Sequence, residues 1–377
     1  MKVLYITNGD GYAGASIALE NIISCLKDKI DIEVVFPRRK GDFSKKLEAM
    51  GIKCYHLRYT MNVYPSESMC FIRKVLKILY IKIANVFACR KIRKIVRDAK
   101  IDIIHTNVGP VDIGYKAAKK TGIPHVWHLR EYINKDFGLK PIPSFGEYIK
   151  KYQDSMNTCI CITDDVIKHF HVEQNGVCIY DGPLKGKSYN CQKKKDYFLF
   201  VGRLQEAKGD RLLLESFAKY VDKGGIFDLY YAGIGTENRI QMLTQIVKDR
   251  NIQNRVLFLG HRNDVYHLMS EARALFVPSI FEGFGFITAE AMYNHCLVVG
   301  RNTAGTKEQF DNGIKMTGRE IGIRFDKDTD LPSIMLSIEK ESYTECINAA
   351  YKTVCSLYMS KYSAEKIFQL YNQLSKK

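Results

Sequence analysis

The chain has 377 residues, enough for two domains, and its 46% hydrophobic and 26% charged residues supply full cores and exclude disorder, a collagen-like repeat and a small disulfide scaffold. No stretch approaches the roughly eighteen apolar residues of a membrane span, and eleven cysteines without a C-x-x-C pair read as reduced thiols of a cytoplasmic protein. The formal charge of +16 points to an anionic partner, and it is uneven: residues 1–190 carry 31 basic and 19 acidic groups, residues 191–377 carry 26 and 22.

The N-terminus opens on a strand, Val3–Thr7, with no apolar leader of secretory length. Further strands are expected at Ile32–Phe36, Cys54–Leu57, Ile101–His105, His125–Leu129 and Thr158–Ile162. They alternate with helical stretches such as Ala15–Leu26. Several strands are continuously apolar, the pattern of parallel strands covered on both faces. The same grammar restarts at Tyr197–Val201 and continues through Asp228–Ala232, Val256–Leu259, Ala274–Val277 and Leu297–Val299. Gly182-Pro183 and the polar run to about Asp196 form the linker. The expectation is an α/β protein of two Rossmann-like doubly wound domains facing a central cleft, residues 1–185 and 192–358. A separate amphipathic helix, Tyr362–Leu374, follows a break at Met359-Ser360. Ligands of such sheets bind beyond the C-terminal strand ends.

The first loop, Gly9-Asp10-Gly11-Tyr12-Ala13-Gly14, is formally G-x-G-x-x-G between strand and helix, the dinucleotide fingerprint. The acidic residue expected at the end of the second strand is replaced by Pro37-Arg38-Arg39-Lys40, which leaves an NADP-dependent oxidoreductase as one reading. A tight turn using glycines at positive φ is the other.

After Tyr197–Val201, Gly202-Arg203-Leu204 and Lys208-Gly209 present two cations five residues apart, suited to a diphosphate whose charge grows as its bond breaks. Further on, Glu282-Gly283-Phe284-Gly285 leads into a helix, with Glu290 eight positions after Glu282. The two glycines leave amides uncovered at a helix start, where phosphates and hydroxyls bind. The two carboxylates can each accept hydrogen bonds from a polyol.

Arg203 with Lys208, followed by Glu282 and Glu290 in an E-x7-E spacing, resembles the nucleotide-sugar glycosyltransferases of the GT-B fold, most closely the large retaining family called glycosyltransferase family 4. The resemblance implies Arg203 and Lys208 on the donor diphosphate, and Glu290 on the ribose. It implies Glu282 and the amides of Gly283, Phe284 and Gly285 on the transferred sugar, and His261 or Arg262 near the nucleobase. In the first domain it implies Gly14 approaching the donor phosphates and His128 near the reacting sugar. The family's usual Gly-Gly-x-Glu reads Ala13-Gly14-Ala15-Ser16 here, without the loop carboxylate. Tyr180-Asp181-Gly182 stands where Asn-Gly is common, and no role is assigned to it. His105 is a weaker candidate than His128. Arg130 and Glu131 could pair with each other or orient the acceptor.

The implied donor is a nucleoside-diphosphate sugar, UDP ahead of GDP, and the acceptor a saccharide or lipid-linked saccharide of bacterial surface polysaccharide or glycolipid synthesis. A front-face departure needs only the cationic cradle, so neither metal nor cofactor is required. Asp326-Lys327-Asp328 matches a D-x-D metal pattern but lies in a polar run. A nucleotide-sugar epimerase would share the diphosphate cradle and is the alternative. Residues 71–100 hold ten basic groups and one acidic. They read as an amphipathic basic helix over Phe71–Phe87 and a crossover helix over Ala88–Lys100, with an anionic membrane surface as partner. No nucleic-acid module accompanies the charge, and aromatics are not interleaved with it.

Overall fold

The structure, a computed structural model, describes residues 1–11, 13–38, 40–65, 70–191 and 193–376. Tyr12 of the first loop and Arg39 of the basic strand end lie outside the described residues. The chain divides into two units, Met1–Pro183 with Ser360–Lys377, and Leu184–Met359.

In the first unit the strands are β1 (Lys2–Ile6), β2 (Asp31–Pro37), β3 (Lys53–Leu57), β4 (Val63–Pro65), β5 (Ile103–Thr106), β6 (His125–Leu129), β7 (Leu139–Pro141), β8 (Asn157–Cys161) and β9 (Gly176–Cys178). Seven form a parallel sheet in the order β3-β2-β1-β5-β6-β8-β9. β1 shows why these strands are apolar throughout. Val3 and Tyr5 pack on one face with Leu19, Ile22, Ile367 and Tyr371, whereas Leu4 and Ile6 pack on the other with Ile92, Val96 and Ile113. Alternation puts successive side chains on opposite faces, and both faces are covered. Ala364, Ile367 and Tyr371 recur at helical spacing along Ser360–Leu374 and complete the first of these clusters. The last helix therefore belongs to this unit's core.

The second unit contains β10 (Tyr197–Val201), β11 (Asp228–Ala232), β12 (Val256–Gly260), β13 (Ala274–Val277), β14 (Leu297–Arg301) and β15 (Ile323–Phe325). They form a parallel sheet in the order β12-β11-β10-β13-β14-β15. The order reverses between β1 and β5 in the first unit and between β10 and β13 in the second. These are the switch points outside which open α/β sheets take their ligands.

Two features differ from the expectation. Phe71–Asp98 is one helix of 28 residues, not two. No Gly or Pro interrupts the chain near Ala88, and the buried stripe Ile81, Ala84, Ala88, Ile92, Val96 runs through that point unbroken. Asn85 pins the helix by bonding Thr60 and Asn62. The antiparallel pair β4–β7 and the edge strands β9 and β15 have three residues each, too few to declare a period.

Candidate active site

In the second unit, the loops after β10 and β13 are held together at the switch point. Gly209 has φ +71°, and a Cβ there would lie 2.7 Å from the Pro278 carbonyl oxygen; a side chain would force the two loops apart. Ile280 N donates to Ala207 O at 3.3 Å. Arg239 braces the turn Glu206–Lys208, pairing with Glu206 at 2.8 Å and with the buried Asp210. Neither residue was singled out in the sequence, because nothing in their spacing marks them.

This packing brings Lys208 to Glu282, with Nζ 2.6 Å from Oε1. Arg203 is exposed and has no ion-pair partner among the described residues. Gly285 caps the helix Phe286–Tyr293 at φ +85°. Buried Gln309 holds the loop from beneath, donating to Phe284 O at 2.6 Å and Gly285 O at 3.0 Å. A Cβ on Gly305 would lie 2.5 Å from Phe284 O, so the loop rests directly on the next helix. The Glu282, Phe284 and Gly285 carbonyls are taken up below, and the amides of Gly283 and Gly285 have no acceptor among the described residues.

Glu290 is partly buried inside that helix, and Tyr266 Oη donates to its Oε1 at 3.0 Å. Burial raises the Glu290 carboxyl above its ordinary value and the Tyr266 bond opposes this. Arg262 is engaged by Asp264 through two bonds, 2.8 and 2.6 Å, whereas His261 is exposed beyond β12. Asp326 accepts from Asn302 at 3.1 Å and Asp328 pairs with Arg301 at 2.6 Å, so both carboxylates of the D-x-D run serve neighbouring side chains.

The first unit assembles a second cluster at its C-terminal strand ends. Arg130, just past β6, forms a buried ion pair with Asp181. It also donates from Nε to Asn107 O and from Nη2 to Asn107 Oδ1, both at 3.2 Å, and from Nη2 to His128 Nδ1 at 3.1 Å. Asn107 in turn donates to Ala15 O at 3.1 Å, which ties the cluster to the residue after Gly14. His128 is fully buried. Burial first, then the Arg130 charge, pushes it well below the ordinary histidine value, so the ring is neutral. A guanidinium can only donate, so Nδ1 accepts and the single ring proton sits on Nε2. That atom has no hydrogen-bond partner among the described residues and faces Asp181 Oδ1 at 3.7 Å.

His105 continues the chain inward, with Nε2 3.2 Å from His128 Nδ1 and Nδ1 2.5 Å from Tyr371 Oη. Arg130 and Glu131 do not pair with each other. Asp181, to which the sequence assigned nothing, is the partner of Arg130; a separation of 51 residues hides such a pair from spacing arguments.

Gly14 opens the helix Gly14–Leu26. None of Gly9, Gly11 and Gly14 has a positive φ, and a Cβ on any of them would meet nothing within 4 Å. This corrects the tight-turn explanation: the fold does not require these glycines, and the space beside them is open. Asp10 is committed to the start of helix Asp42–Ala49, accepting from Gly41 N and Ser44 N at 2.6 Å each.

Glu131 accepts from Gly109 N at 2.7 Å. Burial, then the Asp136 charge, pushes its carboxyl from 4.5 up to about 8. Between those values the folded chain holds a proton that the unfolded chain has released, so this group makes stability fall as pH rises. Glu131→Gln keeps the acceptor without the charge. It should raise the unfolding midpoint at pH 8 and flatten the decline between pH 5 and 8; parallel declines in both proteins would refute the assignment.

Residues 184–352 match the family model described as glycosyl transferases group 1. An Escherichia coli UDP-Gal:alpha-D-GlcNAc-diphosphoundecaprenol alpha-1,3-galactosyltransferase is 26% identical over 245 residues, 58% of this chain and 63% of that protein. A Campylobacter jejuni N-acetylgalactosamine-N,N'-diacetylbacillosaminyl-diphospho-undecaprenol 4-alpha-N-acetylgalactosaminyltransferase is 30% identical over 31% of each chain. The chain thus spans less than two thirds of the length of these curated relatives. Among solved structures, Anabaena Alr3699/HepE in complex with UDP superposes with a TM-score of 0.75 at 18% identity, covering 99% of this chain and 100% of that one. The lipopolysaccharide outer core galactosyltransferase WaaB, in apo form, gives 0.71 at 16%, with coverage of 99% and 100%. The glycosyl transferases group 1 match thus falls on the second unit, and the chain as a whole has the two-domain GT-B fold.

Proposed function

We propose that this protein transfers a sugar, with retention, from a nucleoside-diphosphate sugar to a saccharide or lipid-linked saccharide, in the synthesis of a bacterial surface polysaccharide or glycolipid at the inner face of the cell membrane. UDP is the favoured nucleotide and GDP the second. The observation that carries the reading is the group at the β10–β13 switch point: an uncompensated Arg203, the Lys208–Glu282 pair and the open amides of Gly283 and Gly285. The names of the relatives and the UDP in Alr3699/HepE support it.

In the reaction, the bond from the anomeric carbon to the diphosphate oxygen breaks and negative charge grows on that oxygen. Arg203, Lys208 and the loop amides receive the charge, so the chain's own groups neutralise the leaving diphosphate without a metal. The acceptor hydroxyl attacks from the same face and passes its proton to the departing phosphate. Glu290, oriented by Tyr266, accepts the ribose hydroxyls. Glu282 holds a sugar hydroxyl once Lys208 turns to the phosphate, and His261 or Arg262 borders the base. In the first unit, Gly14 lets the backbone approach the phosphates. His128, whose ring is covered, acts through Asp181 and Arg130 or through Nε2–H once Asp181 moves aside.

A thermal-shift series with UDP, GDP and NADP⁺ tests the donor site. One nucleoside diphosphate should stabilise the protein, and Glu290→Ala should weaken that binding by at least about tenfold through loss of a charge-assisted contact. Stabilisation by NADP⁺ alone would overturn the reading. Anomeric configuration in the product, read by NMR, tests retention.

A further inference from the structure

The helix Phe71–Asp98 carries nine basic side chains against Asp98 alone. Its inner stripe starts only at Ile81 and continues through Ala84, Ala88, Ile92 and Val96. None of the first ten side chains is buried, yet seven of the ten are hydrophobic. Phe71 is 77% exposed, Ile72 67%, Leu76 60% and Leu79 53%. Ile83 and Phe87 are likewise half exposed or more.

At helical spacing, one outward stripe opposite the packed face reads Ile72, Leu76, Leu79, Ile83, Phe87 and then Arg90, Lys94, Arg97. The outer face is apolar for four turns and cationic for the last two. The Arg90 guanidinium lies over the Phe87 ring, 5.7 Å from its centroid, at the changeover. At 1.5 Å per residue the apolar part is about 24 Å long and the cationic part about 10 Å.

We propose that this helix seats the protein on an anionic lipid surface, its N-terminal end deepest among the acyl chains and Arg90, Lys94 and Arg97 at the level of the phosphates. A large continuous apolar surface is rare on a soluble monomer and marks a docking face. The charges decide what covers it. A second copy packed parallel would bring two sets of like charges together, and one packed antiparallel would lay each cationic end on the partner's apolar end; both are costly once water is excluded. An anionic lipid surface neutralises the same charges at about 1 kcal/mol for each Lys or Arg. The helix does not cross the bilayer, since no described helix is long and apolar enough to do so. This deepens the membrane part of the proposed function but rests on the helix alone. Its test therefore contains no donor or acceptor, and its failure is read separately from failure of the transferase reading.

The full chain is sedimented with vesicles of phosphatidylcholine alone and of equal parts phosphatidylcholine and phosphatidylglycerol. Binding is expected on the mixed vesicles. Replacing Arg90, Lys94 and Arg97 together by Gln should weaken it about 100-fold, from roughly 1 kcal/mol per charge. Leu76→Gln with Leu79→Gln should weaken it at least about tenfold. All these residues are exposed, so unchanged melting of the variants confirms folding. The chain has a single tryptophan, Trp127, fully buried, so Phe71→Trp and Phe87→Trp add separate reporters of depth. Lipids brominated deep in the acyl chain should quench the first more than the second. Native-strength binding by the leucine variant, equal quenching at both positions, or a dimer that Leu76→Gln dissolves without any vesicle binding would each overturn the proposal.

Discussion

Alanine at Arg203 or at Lys208 is expected to cut turnover by about 10²- to 10³-fold, the usual cost of removing one donor from a charge-stabilising site. Neither change should disturb folding, because Arg203 is exposed and Lys208 is only partly buried at the end of a short turn. The two are not equivalent. Among the described residues Arg203 has no ion-pair partner to leave behind. Lys208 neutralises Glu282, which is 14% exposed, so Lys208→Ala sets an unpaired carboxylate beside the incoming diphosphate. The lysine variant should therefore be the worse of the two and should also raise KM for the donor. Adding Glu282→Gln to Lys208→Ala removes that repulsion and should recover part of the KM loss without restoring kcat. Steady-state kinetics of the four proteins, with melting temperatures alongside, decide the matter. Native turnover in both single variants would remove the diphosphate cradle from this loop.

The sequence made the second unit's site readable because its parts are local. Arg203 and Lys208 follow one strand, Glu282 through Glu290 follow another, and a parallel sheet places both sets at the same end. What it could not show is that Lys208 and Glu282 meet, since that depends on Gly209 resting against Pro278. The first unit was legible as a sheet and far less as a site. His128 is a candidate because of its place at a strand end, but its partners come from the ends of other strands. Asp181 lies 51 residues from Arg130, and Tyr371 lies 266 residues from His105. No periodicity connects such residues; only the closed core does. The basic segment shows the reverse limit. Its composition predicted a helix and an anionic partner, whereas the reach of the packed face past Ala88, and hence the single long helix, depended on what Ile92 and Val96 pack against.

Asp181→Ala should destabilise the first unit by about 3–5 kcal/mol, the cost of leaving a buried charge without its partner. The side chains of both Arg130 and Asp181 are 4% exposed, so solvent cannot take over the neutralisation, and the remaining acceptors of Arg130 are the two Asn107 oxygens and His128 Nδ1. Burial raises the Asp181 carboxyl above its ordinary value even beside Arg130, and the desolvation of a buried pair offsets much of its attraction. Replacing both residues by apolar ones, Arg130→Met with Asp181→Leu, should therefore cost much less than Asp181→Ala alone. Denaturant unfolding followed through Trp127, fully buried in this unit, measures each value. The double variant also separates structure from function. It removes the guanidinium that obliges His128 Nδ1 to accept and leaves His105 Nε2, whose own proton can shift, as the neighbour of that atom. If this cluster prepares the reacting groups, the double variant folds near native stability and loses turnover by at least about tenfold. If it folds and turns over at the native rate, the cluster is a strut between strand ends, and the role given to His128 falls with it.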